Sequence, residues 1–283
     1  MRLISNPGAN RGAALGTALA IALLLPMAAN AKVDVAALQA QSVGEHRSAD
    51  NRARNEYRNP IQTLQWFGIE PGMTVVEIWP GGGWYSEILA PYLREKGKYY
   101  AAGFVVDAPD TPDYRKRYQK SYEAKLKANP AIYDKVVLNP LGPPNSWAPA
   151  PEGSADAVLT FRNVHNWMQG DFEQKMFDTF FKTLKPGGVL GIVEHRADTG
   201  TSVKDMKKSG YVTEEYVNKL AKKAGFKLAD ETEINANEAD NHKHPKGVWT
   251  LPPSLRLKNK NRAKYLAIGE SDRMTLKFIK PKK

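Results

Sequence analysis

A short apolar run that ends in a glycine-rich turn constrains the fold of this chain more than any other feature. Residues 74–78 read TVVEI, residues 79–83 read WPGGG, and an amphipathic segment follows. The run is rich in β-branched residues and almost wholly apolar, which is typical of a parallel strand buried on both faces. Glycines permit left-handed backbone conformations and let a ligand approach the backbone closely. The pattern therefore predicts a strand, a loop and a helix whose N-terminus presents N–H groups to a nucleotide-like ligand.

Strand and helix patterns alternate along the rest of the chain. Strands are predicted near residues 75–78, 99–106, 135–138, 157–161, 189–194, 226–234 and 273–280, and helices near residues 84–95, 113–128, 172–184 and 213–224. This alternation indicates a parallel sheet with crossover helices. The last segment alternates apolar and polar residues with a period of two, which predicts a strand with one exposed face.

The first 31 residues have the pattern of a signal peptide. Arg2 and Arg11 supply its positive region, residues 13–25 its apolar region, and residues 29–31 an A-x-A cleavage site. We expect cleavage after Ala31 and a periplasmic or secreted mature protein without a transmembrane segment. The alternative is an uncleaved anchor, although the apolar run is shorter than the ~20 residues that span a bilayer.

Composition narrows the chemistry that is open to the chain. Its 283 residues include no cysteine, which excludes disulfides and thiolate metal sites. The formal net charge of +11 falls to +9 when Arg2 and Arg11 are removed with the leader. This charge favours an anionic ligand, but solvated lysines on helix surfaces explain it equally well. We do not expect nucleic acid as a partner, because no long basic block is interleaved with aromatic residues.

Two regions follow the predicted leader. Residues 32–70 read as a helical cap, and residues 71–283 as the main α/β domain. Within that domain, residues 235–260 form an insertion long enough to serve as a lid.

The residues around the glycine turn resemble motif I of class I S-adenosylmethionine-dependent methyltransferases. The family pattern acid-x-Gly-x-Gly-x-Gly corresponds to Glu77, Trp79, Gly81 and Gly83, with Trp79 in the place of the first glycine. The surrounding sequence is similar to a bacterial group of exported predicted methyltransferases. The resemblance implies a Rossmann-like sheet of seven strands, mostly parallel with an antiparallel last strand, and helices on both faces. It also implies S-adenosylmethionine as the cofactor.

The same resemblance implies a set of cofactor-binding residues. These are Glu77, Gly81, Gly82, Gly83 and Asp107. Asp107 is the first acid after the second strand, where the family binds the ribose hydroxyls, and a carboxylate suits that role because it accepts two hydroxyl protons. It lies thirty positions beyond Glu77, whereas ~20 is usual for the corresponding nucleotide-binding acid. Asp107 is therefore open to a second interpretation, as a helix-capping or loop residue.

The end of the fourth predicted strand holds the candidate catalytic residues, Asn163 and His165. They alternate, so both side chains would point the same way if the strand continued. A histidine titrates near neutrality and can take a proton from an oxygen or nitrogen nucleophile. The alternative is a histidine that only hydrogen-bonds to the backbone.

Two other polar clusters are less promising. Glu194 and His195 are adjacent on the fifth strand, so their side chains should point to opposite faces. His242 and His244 are separated by one residue in a predicted loop, which is a poor metal-ligand pattern. We predict no metal site.

Together these residues predict methyl transfer from S-adenosylmethionine to an oxygen or nitrogen nucleophile on a small or polymer-borne acceptor. The alternative is an exported, non-catalytic binding protein on a degenerate methyltransferase scaffold. A nucleic-acid binder ranks last.

Overall fold

The computed structural model describes Met1 and residues 32–282. The predicted signal peptide therefore lies, apart from Met1, outside the described residues.

The helices occupy the N-terminal region and the connections between strands. They are α1 (Val35–Val43), α2 (Ala49–Ala53), α3 (Asn55–Arg58), α4 (Pro60–Phe67), α5 (Ser86–Leu93), α6 (Asp113–Ala128), α7 (Pro130–Tyr133), α8 (Val164–Met168), α9 (Glu173–Thr183), α10 (Val203–Ser209), α11 (Glu214–Ala224) and α12 (Arg262–Ile268). In the described residues, none of these helices combines the length and the hydrophobicity that crossing a membrane requires.

The strands are β1 (Thr74–Ile78), β2 (Lys98–Phe104), β3 (Val136–Leu141), β4 (Ala155–Phe161), β5 (Leu184–His195), β6 (Lys227–Thr232), β7 (Pro245–Val248) and β8 (Arg273–Ile279). Seven of them form one sheet in the order β3-β2-β1-β4-β5-β8-β6, which leaves β7 outside it. β1 to β5 pair in parallel, and β8 runs antiparallel to both β5 and β6. The predicted sheet, mostly parallel with an antiparallel last strand, is confirmed.

The apolar character of β1 follows from its place in the middle of the sheet. Val75 packs into the core on the side of α1, α4 and α5, whereas Val76 and Ile78 pack into the core on the side of α8, α9 and α11. Because both faces are covered, no polar alternation is expected. Strand order reverses between β1 and β4, and ligands of open α/β sheets bind beyond the carboxyl ends of strands at such a reversal.

Two element boundaries differ from the predictions, and the first of them matters for the site. β4 ends at Phe161 and a short helix, α8, begins at Val164, so strand geometry does not continue to His165. β5 begins at Leu184 instead of near residue 189, because an irregularity in the pairing lets Leu184 lie opposite Ala155 while Val189 lies opposite Ala157.

The N-terminal helices are tied to α5 by a buried ion pair. α1 packs against α5 and α4. Arg47, only 1% exposed, donates from Nε to Oε2 of Glu87 on α5 at 3.1 Å. This contact holds α2 and α3 over the carboxyl edge of the sheet.

Candidate active site

A cavity of about 370 Å³ opens at the carboxyl ends of β1, β4 and β5. Its wall combines the glycine turn after β1, the residues after β4, the N-terminal helices, the insertion and the start of β8. We call it the site cavity. Gly81, Gly82, Asn163 and His165 line it, so the structure brings four of the predicted site residues together.

The glycine turn leaves room that a side chain would fill. Gly81 has a φ of 59°, in the left-handed region. A Cβ atom added to Gly81 or Gly82 would meet nothing within 4 Å, whereas one added to Gly83 would lie 2.7 Å from the ring of Tyr122. Gly81 and Gly82 therefore form an open cradle, and Gly83 allows the loop to pack against α6.

Trp79, in the position of the first family glycine, does not fill this cradle. Its Nε1 donates to the carbonyl oxygen of Leu141 at 2.8 Å, and its ring packs against Phe104 and Trp167. Its φ of 47° is the left-handed conformation that a glycine would adopt more easily. The indole thus forms a wall of the site cavity without occupying it.

Trp79 also lines a second cavity, of about 300 Å³, between the loops that follow β2 and β3. Pro143 and Pro144 form part of the opposite wall, and the guanidinium of Arg115 lies 4.5 Å from the Trp79 ring centre. We call it the side cavity. Its acidic lining residue is Asp110. Asp107 is exposed and lies outside the lining of both cavities.

Glu77 is buried below the glycine turn and lies outside the linings of both cavities. Its Oε2 accepts hydrogen bonds from Ser86 Oγ at 2.9 Å and from the Tyr99 hydroxyl. The Tyr122 hydroxyl donates in turn to Ser86 Oγ at 3.0 Å. Burial raises the pKa of Glu77 to about 7, although the hydrogen bonds from Tyr99 and Ser86 act in the opposite direction. The described contacts of Glu77 are thus structural.

The raised pKa of Glu77 predicts a pH-dependent stability. Between its ordinary pKa of 4.5 and about 7, the folded chain binds a proton that the unfolded chain has released. The stabilisation is complete below pH 4.5 and is lost as the pH rises towards 7, a loss of about 3 kcal/mol. Glu77→Gln should therefore unfold at higher urea than the native chain at pH 8 but not at pH 4.5. Glu238 is exposed, so the control variant Glu238→Gln should change neither curve. A Glu77→Gln variant that is less stable than the native chain at pH 8 would contradict the raised pKa of Glu77.

His165 is held by a carboxylate from the neighbouring strand. Its Nδ1 lies 3.0 Å from Oε1 of Glu194, at the end of β5. Oε2 of Glu194 accepts from the backbone N–H of Val164 at 2.6 Å, and Oε1 also accepts from the backbone N–H of His195 at 2.8 Å. Glu194 is fully buried. An acceptor on Nδ1 places the proton of a neutral imidazole there and leaves Nε2 free to accept a proton.

Asn163 bridges two strands instead of continuing β4. Its Nδ2 donates to the carbonyl oxygen of Ile78 at 2.8 Å and to Thr160 Oγ1 at 3.2 Å. It is the N-cap residue of α8. Asn163 and His165 both line the cavity because the chain turns into a helix after β4. The predicted reason, alternation along a continued strand, is wrong.

His165, Glu194 and His195 lie close enough for one atom of each to ligate a metal ion. Both oxygens of Glu194 are, however, already engaged by hydrogen-bond donors. Burial and the nearby positive groups, among them Arg273 and Arg162, lower the pKa of His195 well below its ordinary value. Such positive surroundings oppose a cation, so the geometry suits a carboxylate-oriented histidine better than a metal centre. His242 and His244 lie elsewhere, paired with aspartates.

The insertion contributes directly to the site cavity. Val248 and Trp249 line it, together with Pro252 and Pro253. The Trp249 ring centre is 5.9 Å from that of His165. The Trp249 ring therefore packs against the histidine in the wall of the cavity.

Solved structures resemble the chain in three dimensions. A SAM-dependent methyltransferase from Aquifex aeolicus has a TM-score of 0.52 and 18% identity, over 88% of this chain and 100% of its own. The [4+2]-cyclase SpnF has a TM-score of 0.52 and 15% identity, over 89% of this chain and 87% of its own. For phosphoethanolamine N-methyltransferase 2 from Haemonchus contortus, in complex with S-adenosyl-L-methionine, the values are 0.50 and 15%, over 80% and 53%. No protein-family model and no curated protein matches the sequence.

The chain has the class I methyltransferase fold. At these identities the likeness establishes the fold alone, and one neighbour is named for cyclisation rather than for methyl transfer. The reaction of this chain therefore depends on its own side chains.

Glu194 and Asp110 are among the site residues that the sequence did not predict. The sequence pattern pairs Glu194 only with its neighbour His195 and does not predict its contact with His165, which lies on α8 just after β4. The available signal was that polar residues follow β4 and end β5, since the carboxyl ends of parallel strands meet at one edge of the sheet. Asp110, the acid in the side cavity, lies three positions after Asp107. The roles of Glu77, Gly83 and Asp107 toward a cofactor stay predictions.

Proposed function

We propose that this protein transfers a methyl group from S-adenosylmethionine to an oxygen or nitrogen nucleophile. One observation carries the proposal: the open glycine cradle and the free Nε2 edge of a carboxylate-held histidine line the same cavity. The predicted signal peptide supports a site of action in the periplasm or outside the cell.

The cavities fit the two halves of such a cofactor. Gly81 and Gly82 have the bare, approachable backbone that would hold the methionine part. The side cavity, walled by Trp79 and several prolines and carrying Asp110, would take the adenosine part. A carboxylate there suits ribose hydroxyls. Each cavity lies at the lower end of the size range of small-molecule sites.

The chain's own residues supply positioning and a proton acceptor. A bound S-adenosylmethionine would supply an electrophilic methyl group, with sulfur keeping the electron pair of the broken S–C bond and the nucleophile's lone pair forming the new bond to carbon. His165 Nε2 takes the proton that the nucleophile releases, and Glu194 stabilises the resulting imidazolium through Nδ1–H. Trp249 and the insertion exclude water from this edge. Alignment of two bound reactants accounts for much of the rate of such reactions.

A bulky residue in the cradle should prevent cofactor binding. Gly82 has no left-handed φ and open space at its Cβ position, so Gly82→Leu adds bulk to the cavity with little backbone strain. Gly72, in the turn before β1, has the same two properties far from the cavity. In calorimetric titration of the full-length protein, S-adenosylmethionine and S-adenosylhomocysteine should bind more than about tenfold more weakly to Gly82→Leu, and Gly72→Leu should match the native chain.

Binding of neither ligand to the native chain would overturn the proposal. The sequence-based alternative, a binding protein on a degenerate scaffold, would then be the better account. If Gly82→Leu and the native chain bind the two ligands with equal affinity, the cofactor does not bind at the glycine cradle.

A further inference from the structure

Four arginines from distant parts of the chain line the site cavity. Arg54 and Arg58 come from the N-terminal helices, Arg162 from the turn after β4, and Arg273 from the first position of β8. We call them the arginine cluster. Arg58 and Arg273 are almost fully buried, at 4% and 1% exposed.

A single carboxylate faces this cluster within the described lining of the cavity. Glu270 accepts from Arg54 Nε at 2.6 Å, from Arg58 Nε at 3.1 Å, and from Arg273 Nη2. Arg162 takes part in no ion pair among the described residues. The cluster therefore carries a formal excess of three positive charges.

The excess charge leaves hydrogen-bond donors without acceptors. In residues 32–282, Nη2 of Arg54 and Nε of Arg273 are buried and have no partner. Burial and the neighbouring guanidiniums lower the pKa of Arg162 to about 10 and that of Arg58 well below its ordinary value. Guanidinium groups do not lose their proton in proteins, so both side chains stay charged at neutral pH. Buried charges that lack a counterion are destabilising, so the excess positive charge of the cavity lining points to a ligand that supplies negative charge.

The proposed cofactor does not provide this counter-charge. S-adenosylmethionine carries a sulfonium, an ammonium and a carboxylate, so its net charge is positive. Its carboxylate balances at most one guanidinium, while its other groups add to the excess. The second reactant must bring the negative charge.

We propose that the methyl acceptor is a small molecule with an oxyanion group, phosphate or carboxylate, that docks on the arginine cluster. The inference rests on the proposed function. Planar guanidiniums bind two oxygens of such a group at once. With the oxyanion fixed there, the nucleophilic oxygen or nitrogen of the same molecule reaches His165 in the same cavity.

Arg162→Gln isolates the role of the cluster, because Arg162 has no ion pair whose loss would disturb the fold. Arg262→Gln removes the same charge from an exposed position at the start of α12. Inorganic phosphate and acetate are titrated into the full-length protein at constant ionic strength, with quenching of tryptophan fluorescence as the readout. Trp84 and Trp249 line the cavity and report its occupancy.

Native chain and Arg262→Gln should bind at least one of the two anions equally well, and Arg162→Gln should bind it about tenfold more weakly, the effect of one charge-assisted hydrogen bond. Affinity for S-adenosylhomocysteine should not change in Arg162→Gln. Tighter binding of phosphate than of acetate indicates that the acceptor is phosphorylated. Tighter binding of acetate indicates that the acceptor is a carboxylic acid.

Three outcomes would overturn the inference. If neither anion binds while S-adenosylhomocysteine does, the arginine cluster is not an anion site and the proposed function stands. If Arg162→Gln weakens S-adenosylhomocysteine instead of the anions, the cluster holds the cofactor carboxylate. If an anion binds but neither cofactor form does, the acceptor role fails together with the proposed function.

Discussion

Replacing Glu270 by glutamine is expected to lower the free energy of unfolding by about 3–5 kcal/mol, the usual cost of removing one partner from a buried ion pair. Glu270 is 3% exposed and is the counterion of Arg54, Arg58 and Arg273. Its amide replacement leaves three guanidiniums at the cavity without a negative partner. Urea unfolding at pH 7 measures the loss, and Glu152→Gln, at an exposed position, serves as the matched control.

The pH dependence of this variant gives a second test. Burial alone would raise the pKa of Glu270, but Arg58, Arg273 and Arg54 lower it well below its ordinary value of 4.5. A depressed pKa stabilises the fold above about pH 4.5, and the stabilisation is lost as the pH falls towards the folded-state value. The native chain should therefore lose its advantage over Glu270→Gln in acid. Phosphate should restore part of the variant's stability at pH 7, since an oxyanion replaces the missing charge. A loss below about 1 kcal/mol, the value of an exposed pair, would contradict the buried-counterion assignment.

Replacing His165 by glutamine is expected to lower the rate of methyl transfer by about 10²–10⁴-fold, the usual contribution of a general base. The rate is that of tritiated methyl transfer from S-adenosylmethionine to the first acceptor that supports turnover. The affinity for S-adenosylhomocysteine should stay within about twofold of the native value, because the glycine cradle is untouched. Asn166→Ala, on the same helix but outside the cavity lining, should react at the native rate.

Glu194→Gln separates the base from the residue that positions it. Without the carboxylate, His165 loses the acceptor that fixes its tautomer, and the imidazolium loses its counter-charge. The rate should fall less than in His165→Gln, and its pH dependence should shift. If His165→Gln reacts at the native rate, positioning alone drives the transfer and the histidine is a structural residue.

Local patterns were sufficient to predict most of the sheet. β1 and the helix limits of α6 and α11 follow from short apolar runs, glycines and caps; the Thr213 hydroxyl, for example, accepts from the N–H of Tyr216 at 3.2 Å at the start of α11. Such signals act within a few residues, so the sequence displays them directly. The order of strands followed from the family resemblance, which carries topology that no local pattern contains.

The candidate site was harder to predict from the sequence, because the residues in contact there are far apart along the chain. Arg54 and Arg273 meet at Glu270 although more than two hundred positions separate them. The sequence showed only a diffuse positive charge, which solvated lysines explained equally well. The sequence also did not predict the turn after Phe161, where Arg162 takes a φ of 62°. That turn redirects His165 towards Glu194.

The arginine cluster also has a consequence for how the chain matures. The cavity takes walls from the N-terminal helices and from β8, which enters the sheet between β5 and β6 only after all other strands have been made. Contacts of such long range are slow to form, because a long loop must be closed first. A chain that stops before β8 would lack both Arg273 and the strand that joins β6 to the rest of the sheet. Ligand binding in the cavity therefore indicates that the N-terminal helices and β8 are both in their folded positions.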